Sequence, residues 1–197
     1  MAGMHTWLWG IRDPDMMDAL VPIAAQPAAV SGRNLVWRRI LSRANTEIAR
    51  ENPESLFTTA LAGLLNLDRG RMTMGTAGHE PPFLRRADGA LERLEPSGEP
   101  PMCIVESFEY TTRQRALQPG EWLCFVTDGV TEAMNAKGEL YGAERLEKIL
   151  ARQREEVSPA AVLTDVRDDV RKFVGDTEQS DDLTMLCLRW TGPGGAA

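Results

Sequence analysis

Between residues 34 and 50 apolar side chains recur at Leu35, Val36, Ile40, Leu41, Ala44 and Ile48. That spacing of three and four predicts an amphipathic helix, and Asn52-Pro53 stops it. The pattern then changes. Residues 56–67 are rich in Leu, Phe and Thr, Asp68-Arg69-Gly70 makes a turn, and 71–76 predict the returning strand. Segments 82–86 and 91–94 flank Ala87-Asp88-Gly89, a second hairpin signal. Residues 108–115 alternate as a strand does, and Pro119-Gly120 turns the chain into the apolar strand 121–127. Residues 132–136 are polar and helix-compatible. Residues 143–154 carry an apolar face at Leu146, Ile149 and Leu150, and Ser158-Pro159 caps a further helix reaching about residue 173. Residues 183–190 form the last strand. The order is helix, five or more mostly antiparallel strands, two helices, strand, which predicts an α+β fold with helices segregated from an antiparallel sheet.

Residues 1–32 differ from the rest. They hold Trp7, Trp9 and a cluster of Asp13, Asp15, Met16, Met17 and Asp18 before a Pro/Ala stretch, with a short helix expected near 15–20. Residues 33–190 read as one folded domain and 191–197 as a disordered tail. At 197 residues, 43% hydrophobic and 26% charged, the chain can bury a sizeable core. A net charge of −7 argues against nonspecific nucleic-acid binding. No apolar stretch reaches the ~18 residues that span a bilayer. The run 19–30 is broken by Pro22 and Pro27, and no basic segment leads an apolar one at the start. A cytoplasmic protein that engages no membrane is expected. Cys103, Cys124 and Cys187 share no closely paired spacing, so buried reduced thiols are expected rather than a zinc site or disulfide.

Candidate chemistry gathers at strand ends. The apolar run Cys124-Phe125-Val126 breaks into Thr127-Asp128-Gly129, which sets a carboxylate at a strand's mouth. Asp-Gly is also a good turn, but no partner strand follows directly. A second acidic pair, Asp181-Asp182, precedes the apolar run from Leu183. Two carboxylates at two strand ends can hold a hard divalent cation; a solvated turn is the plain alternative at Asp181-Asp182. Gly78-His79 follows another strand, with Pro81-Pro82 fixing the exit. His79 can serve as general acid or phosphate contact, or simply cap the turn. Asp165, Asp168 and Asp169 read as a solvated helix face.

Several segments in register resemble the metal-dependent protein phosphatases of type 2C (PPM), in the bacterial branch of the stage II sporulation protein E and sigma-factor-regulator phosphatases. They are Leu56-Phe57-Thr58-Thr59 leading to Asp68 and Gly70; Ala77-Gly78-His79 with Pro81-Pro82 and the turn at Asp88-Gly89; and Leu117 to Gly120 leading into the Thr127-Asp128-Gly129 run through Ala133. Asn135, Gly138-Glu139, Tyr141-Gly142, Glu144-Arg145-Leu146 and Gln179 to Thr184 complete the set. The resemblance implies an antiparallel β-sandwich flanked by helices, and two Mg2+ or Mn2+ ions. It implies hydrolysis of phosphoserine or phosphothreonine by a cation-activated water. Asp128 and Asp181 match catalytic metal ligands, Asp182 an outer one, and Gly129 a glycine that lets the backbone pass close to the metal. The implied substrate is a phosphorylated regulatory protein, of the anti-sigma-factor antagonist type.

The first half departs from that pattern. The family draws its remaining ligands from two earlier strands with Gly-Gly-Asp-x-x-Asp and Gly-Asp-x-x-Gly-x-Gly sequences, and neither is present. The bridging carboxylate therefore has no counterpart, and N-terminal strands of the sandwich are expected to be missing. Pro101-Met102-Cys103 stands where the family has a glycine, so that loop is expected to be reshaped. Three readings follow: a truncated phosphatase, a pseudophosphatase that binds a partner without hydrolysis, or a homo-oligomer in which another chain completes the site.

Overall fold

The computed structural model describes residues 25–26, 39–94, 98–153, 157–178 and 181–193. In chain order the elements are β1 (Ala25–Gln26), α1 (Ile40–Arg50), β2 (Ala60–Asn66), β3 (Arg71–Ala77), β4 (Phe83–Arg85), β5 (Leu91–Arg93), β6 (Arg113–Ala116), β7 (Trp122–Val126), α2 (Asp128–Thr131), α3 (Ala143–Ala151), α4 (Pro159–Val174) and β8 (Met185–Arg189). The fold is α+β, as the sequence predicts. The expected helix at 15–20, the start of the helix predicted from 34, and residues 194–197 of the tail lie outside the described residues. No helix among the described residues is long and apolar enough to cross a membrane.

The chain divides into two units. The first carries a four-stranded sheet in the order β1-β2-β3-β6. β2 and β3 pair antiparallel from Ala60↔Ala77 to Asn66↔Arg71, with the Asp68-Arg69-Gly70 turn between them. β6 pairs antiparallel with β3, and β1 pairs parallel with β2. Leu41 and Ala44 on the apolar stripe of α1 are buried with Ala77, Met102 and Tyr110. Asn45 shares that stripe and is fully buried. Its amide donates to Val105 O (2.8 Å) and Glu106 O (2.9 Å), and its oxygen accepts from Cys103 N–H (2.7 Å). This one side chain shapes the loop after Pro101, where Cys103 takes a left-handed backbone with φ 69°. A non-glycine residue seldom adopts that conformation unless its surroundings enforce it.

The second unit carries the sheet β5-β4-β7-β8, antiparallel throughout. Leu146, Ile149 and Leu150 of α3 and Val162, Val166 and Val170 of α4 are buried in one cluster with Phe83, Trp122, Cys124 and Val126. Each such side chain contributes about 1.5–3 kcal/mol when fully buried. α4 begins where Ser158 Oγ accepts from Ala161 N–H (3.2 Å) and ends at Gly175, whose φ of 67° breaks the helix.

Four expectations change. Pairing in β2 starts at Ala60, not 56, because Asn52 captures Leu56 at both its N–H (3.0 Å) and its carbonyl (2.6 Å). Of the expected strand 108–115 only residues 113–115 pair in the sheet, and the pairing runs on to Ala116. Tyr110 N–H goes to Ser42 Oγ (2.8 Å) and Thr111 N–H to Glu99 Oε1 (2.8 Å), so side chains take these backbone donors. Residues 132–136 are not helical. They form a hairpin with the chain up to Tyr141, bridged at Met134↔Leu140 and turned around the Asn135 side chain. Asp169 is not on a solvated face. It accepts from Tyr141 Oη (2.8 Å) and Arg145 Nε (2.9 Å). Burial raises its carboxyl, but these two hydrogen bonds and the Arg145 charge prevail and hold it below the ordinary carboxylate value.

Asn45→Ala leaves Cys103 N–H without its acceptor, and takes one of two donors from the Val105 and Glu106 carbonyls, which keep Phe108 N–H and Thr46 Oγ1. It is expected to lower unfolding free energy by roughly 2–3 kcal/mol in urea titration; a loss under about 0.5 kcal/mol would show that the loop does not depend on it.

Candidate functional site

β7 lies between β4 and β8, and its five residues Trp122–Val126 are all buried. A central strand covered on both faces needs this unbroken apolar run. The register with β8 runs from Trp122↔Arg189 to Val126↔Met185. One residue further, Thr127 closes the ladder. Its N–H donates to Thr184 O (3.0 Å), and its Oγ1 accepts from Thr184 N–H (3.2 Å). The hydroxyl proton faces the carbonyls of Asp182 (3.3 Å) and Thr184 (3.5 Å). Thr127 is itself buried. It therefore fixes the approach to β8 from the end of β7.

Asp128 follows as the first residue of α2, and is exposed. Gly129 N–H donates to Asp128 Oδ1 (3.0 Å). Gly129 sits flush on the backbone of Asp182. A Cβ there would collide with Asp182 O, stand 3.1 Å from Asp182 C and reach within 3.5 Å of Asp181 Cβ. The glycine is thus required for contact between two protein segments. Asp182 N–H donates to Asp181 Oδ1 (2.7 Å), and both aspartates are exposed. The structure brings Asp128, Asp181 and Asp182 to one end of the β7–β8 pair.

Gly78 and His79 belong to the first unit. Gly78 has φ 66°, and a Cβ would stand 2.7–2.8 Å from the Pro101 ring, so only glycine fits. His79 is buried; its Nδ1 lies 3.2 Å from Thr59 Oγ1, and its N–H donates to Thr76 Oγ1 (3.2 Å). These are the bonds of a residue that holds the turn after β3.

Exposed carboxylate oxygens are hard donors, matched to Mg2+ or Mn2+ in chemistry. Their number falls short. No group of three or more His, Cys, Asp or Glu side chains among the described residues is placed to hold a metal ion. The described donors fit part of one cation's shell and do not supply the bridge of a two-metal centre.

The clasping role of Thr127 has one local signal, a β-branched hydroxyl residue between an apolar run and Asp-Gly. Asn45 has only the signal of a lone amide on an apolar stripe.

The fold is that of the type 2C phosphatase domains, with two mainly antiparallel sheets and attendant helices. The model of the Stage II sporulation protein E (SpoIIE) family matches residues 21–191, and the chain belongs to that family. It is 27% identical over 154 residues to the phosphoserine phosphatase RsbU of Bacillus subtilis, covering 77% of this chain and 44% of RsbU. The chain spans less than half the length of the curated relatives it matches. Among solved structures, the RsbU and RsbW domains of a Mycobacterium tuberculosis protein superpose with a TM-score of 0.58 at 22% identity, covering 83% of this chain and 45% of that one. The phosphatase domain of Bacillus subtilis SpoIIE, presoaked with Mn, gives 0.55 at 16% identity, covering 82% and 73%. Both structures speak to fold alone. Proteins of this family generally use Mg2+ or Mn2+.

Gly129→Ala gives a test of sign. Helix propensity alone would make alanine more stable by about 1 kcal/mol. The collision with Asp182 is expected to reverse this, to a loss of about 1–3 kcal/mol in thermal or urea unfolding. A stabilised variant would contradict the close approach.

Proposed function

We propose that the chain is a Mg2+- or Mn2+-dependent serine/threonine protein phosphatase that acts on a phosphorylated regulatory protein in the cytoplasm. The observation that carries this is the closure of β7 onto β8 by Thr127 and Gly129, which sets Asp128 beside the Asp181-Asp182 segment. Asp128 and Asp181 would hold a cation, with Asp182 supporting it from outside. Gly129 keeps the two segments in contact, while Gly78 and His79 hold the turn after β3. The chemistry such an ion would supply is neutralisation of the phosphate's charge and a water acidic enough to act near neutral pH. The Asp carboxylates contribute the charge that retains it.

The similarity to the phosphoserine phosphatase RsbU supports phosphoserine as the substrate group. A phosphorylated anti-sigma-factor antagonist is the substrate we assign.

The incomplete donor set among the described residues favours a second reading, a pseudophosphatase that binds the same partner without hydrolysis. Hydrolysis of p-nitrophenyl phosphate separates the two. The expected result is turnover that depends on millimolar Mn2+ and falls by at least about 100-fold in Asp128→Ala. No turnover in folded protein, with or without Mn2+, would overturn catalysis and leave the binding role.

A further inference from the structure

Cys124 of β7 and Cys187 of β8 stand directly opposite each other in the antiparallel ladder. The bonds around them define the kind of pair. Thr127 N–H bonds Thr184 O, and Trp190 N–H bonds Glu121 O, so these two registers are hydrogen-bonded positions. Cys124 lies an odd number of residues from both Glu121 and Thr127. The cysteines therefore occupy a non-hydrogen-bonded position, where Cα atoms stand about 4.5 Å apart and side chains are nearest. That spacing falls within the range of about 4.4–6.8 Å that a disulfide spans. Both side chains lie in the same buried cluster with α3 and α4 residues, and the thiols are hydrogen-bonded to each other.

We propose that Cys124 and Cys187 are a redox modification site that closes an intramolecular cross-strand disulfide when the protein meets a hydroperoxide. Cys187 takes the oxidant, since it keeps 9% of its surface exposed and Cys124 keeps none. Its thiolate sulfur attacks the peroxide oxygen and the O–O bond breaks. The products are a sulfenic acid on Cys187 and one molecule of water or alcohol. The Cys124 sulfur then attacks the Cys187 sulfur and displaces the sulfenic oxygen, which leaves as water with the Cys124 proton. Two thiols lose two electrons, and one peroxide gains them. The hydrogen bond from Cys124 holds Cys187 below the ordinary thiol value, and that bond together with burial pushes Cys124 up. The crosslink would tie β7 to β8 just before Asp128 and just after Asp182. It does not depend on the chain being a phosphatase.

The test uses the full chain, reduced, desalted and treated with hydrogen peroxide. It is then denatured, alkylated, digested and read by mass spectrometry. The expected product is one linked peptide pair joining Cys124 to Cys187, with Cys103 carrying the alkyl label, and dithiothreitol reverses it. Cys103→Ser should give the same linked pair, which removes the third thiol from the argument without touching the buried two. Alkylation of all three cysteines after peroxide would overturn the proposal. So would a sulfinic acid on Cys187 without a link, or a link that includes Cys103.

Discussion

The joint between β7 and β8 is the constraint on which the candidate site depends. Thr127 spends its N–H and hydroxyl on the segment that enters β8, and Gly129 gives up a side chain so that Asp182 can lie against it. Neither residue needs to touch a substrate for the arrangement to matter. Without the joint, Asp128 and Asp181 would sit on two loops far apart in the chain, and ordering them would cost backbone entropy of about 1–2 kcal/mol per residue. With it, that ordering belongs to the fold of the second unit. The apolar length of β7, the valines of α4 and the leucines of α3 supply the burial that holds both strands in register.

Legibility from the sequence followed the range of the interactions involved. Hairpins announced by Asp68-Arg69-Gly70 and Asp88-Gly89, the β7 run and the helices with apolar stripes were all readable, because turn chemistry and periodicity are local. The errors came where a side chain took over backbone bonding. Asn52 delayed the start of β2, Ser42 and Glu99 kept residues 108–112 out of the sheet, and Asn135 bent a helix-compatible segment into a hairpin. Asp169 was misjudged for a related reason: its partners Tyr141 and Arg145 lie on other elements. At the site, Asp128, Asp181 and Asp182 were readable as strand-end acids, but the clasp made by Thr127 spans more than fifty residues of sequence and no local pattern shows it.

Family membership and an incomplete donor set are compatible physical facts. The family match covers residues 21–191, and within the second unit Asp128, Asp181 and Asp182 lie at one end of the β7–β8 pair. The described residues present hard oxygen donors, yet too few converge to hold a pair of cations. A partial shell binds a divalent ion loosely, because each carboxylate lost removes both charge and an oxygen ligand. Cation affinity therefore reports on this site more directly than turnover does, since turnover requires every remaining donor to be in place.

The most direct measurement is Mn2+ uptake by the full chain, followed as loss of the free-ion electron paramagnetic resonance signal, in the natural protein and in Thr127→Val. If the clasp creates the cation site, the natural chain binds Mn2+ and the variant, still folded, binds it roughly 10-fold more weakly or worse. Equal binding by both, or none by either, would contradict the account.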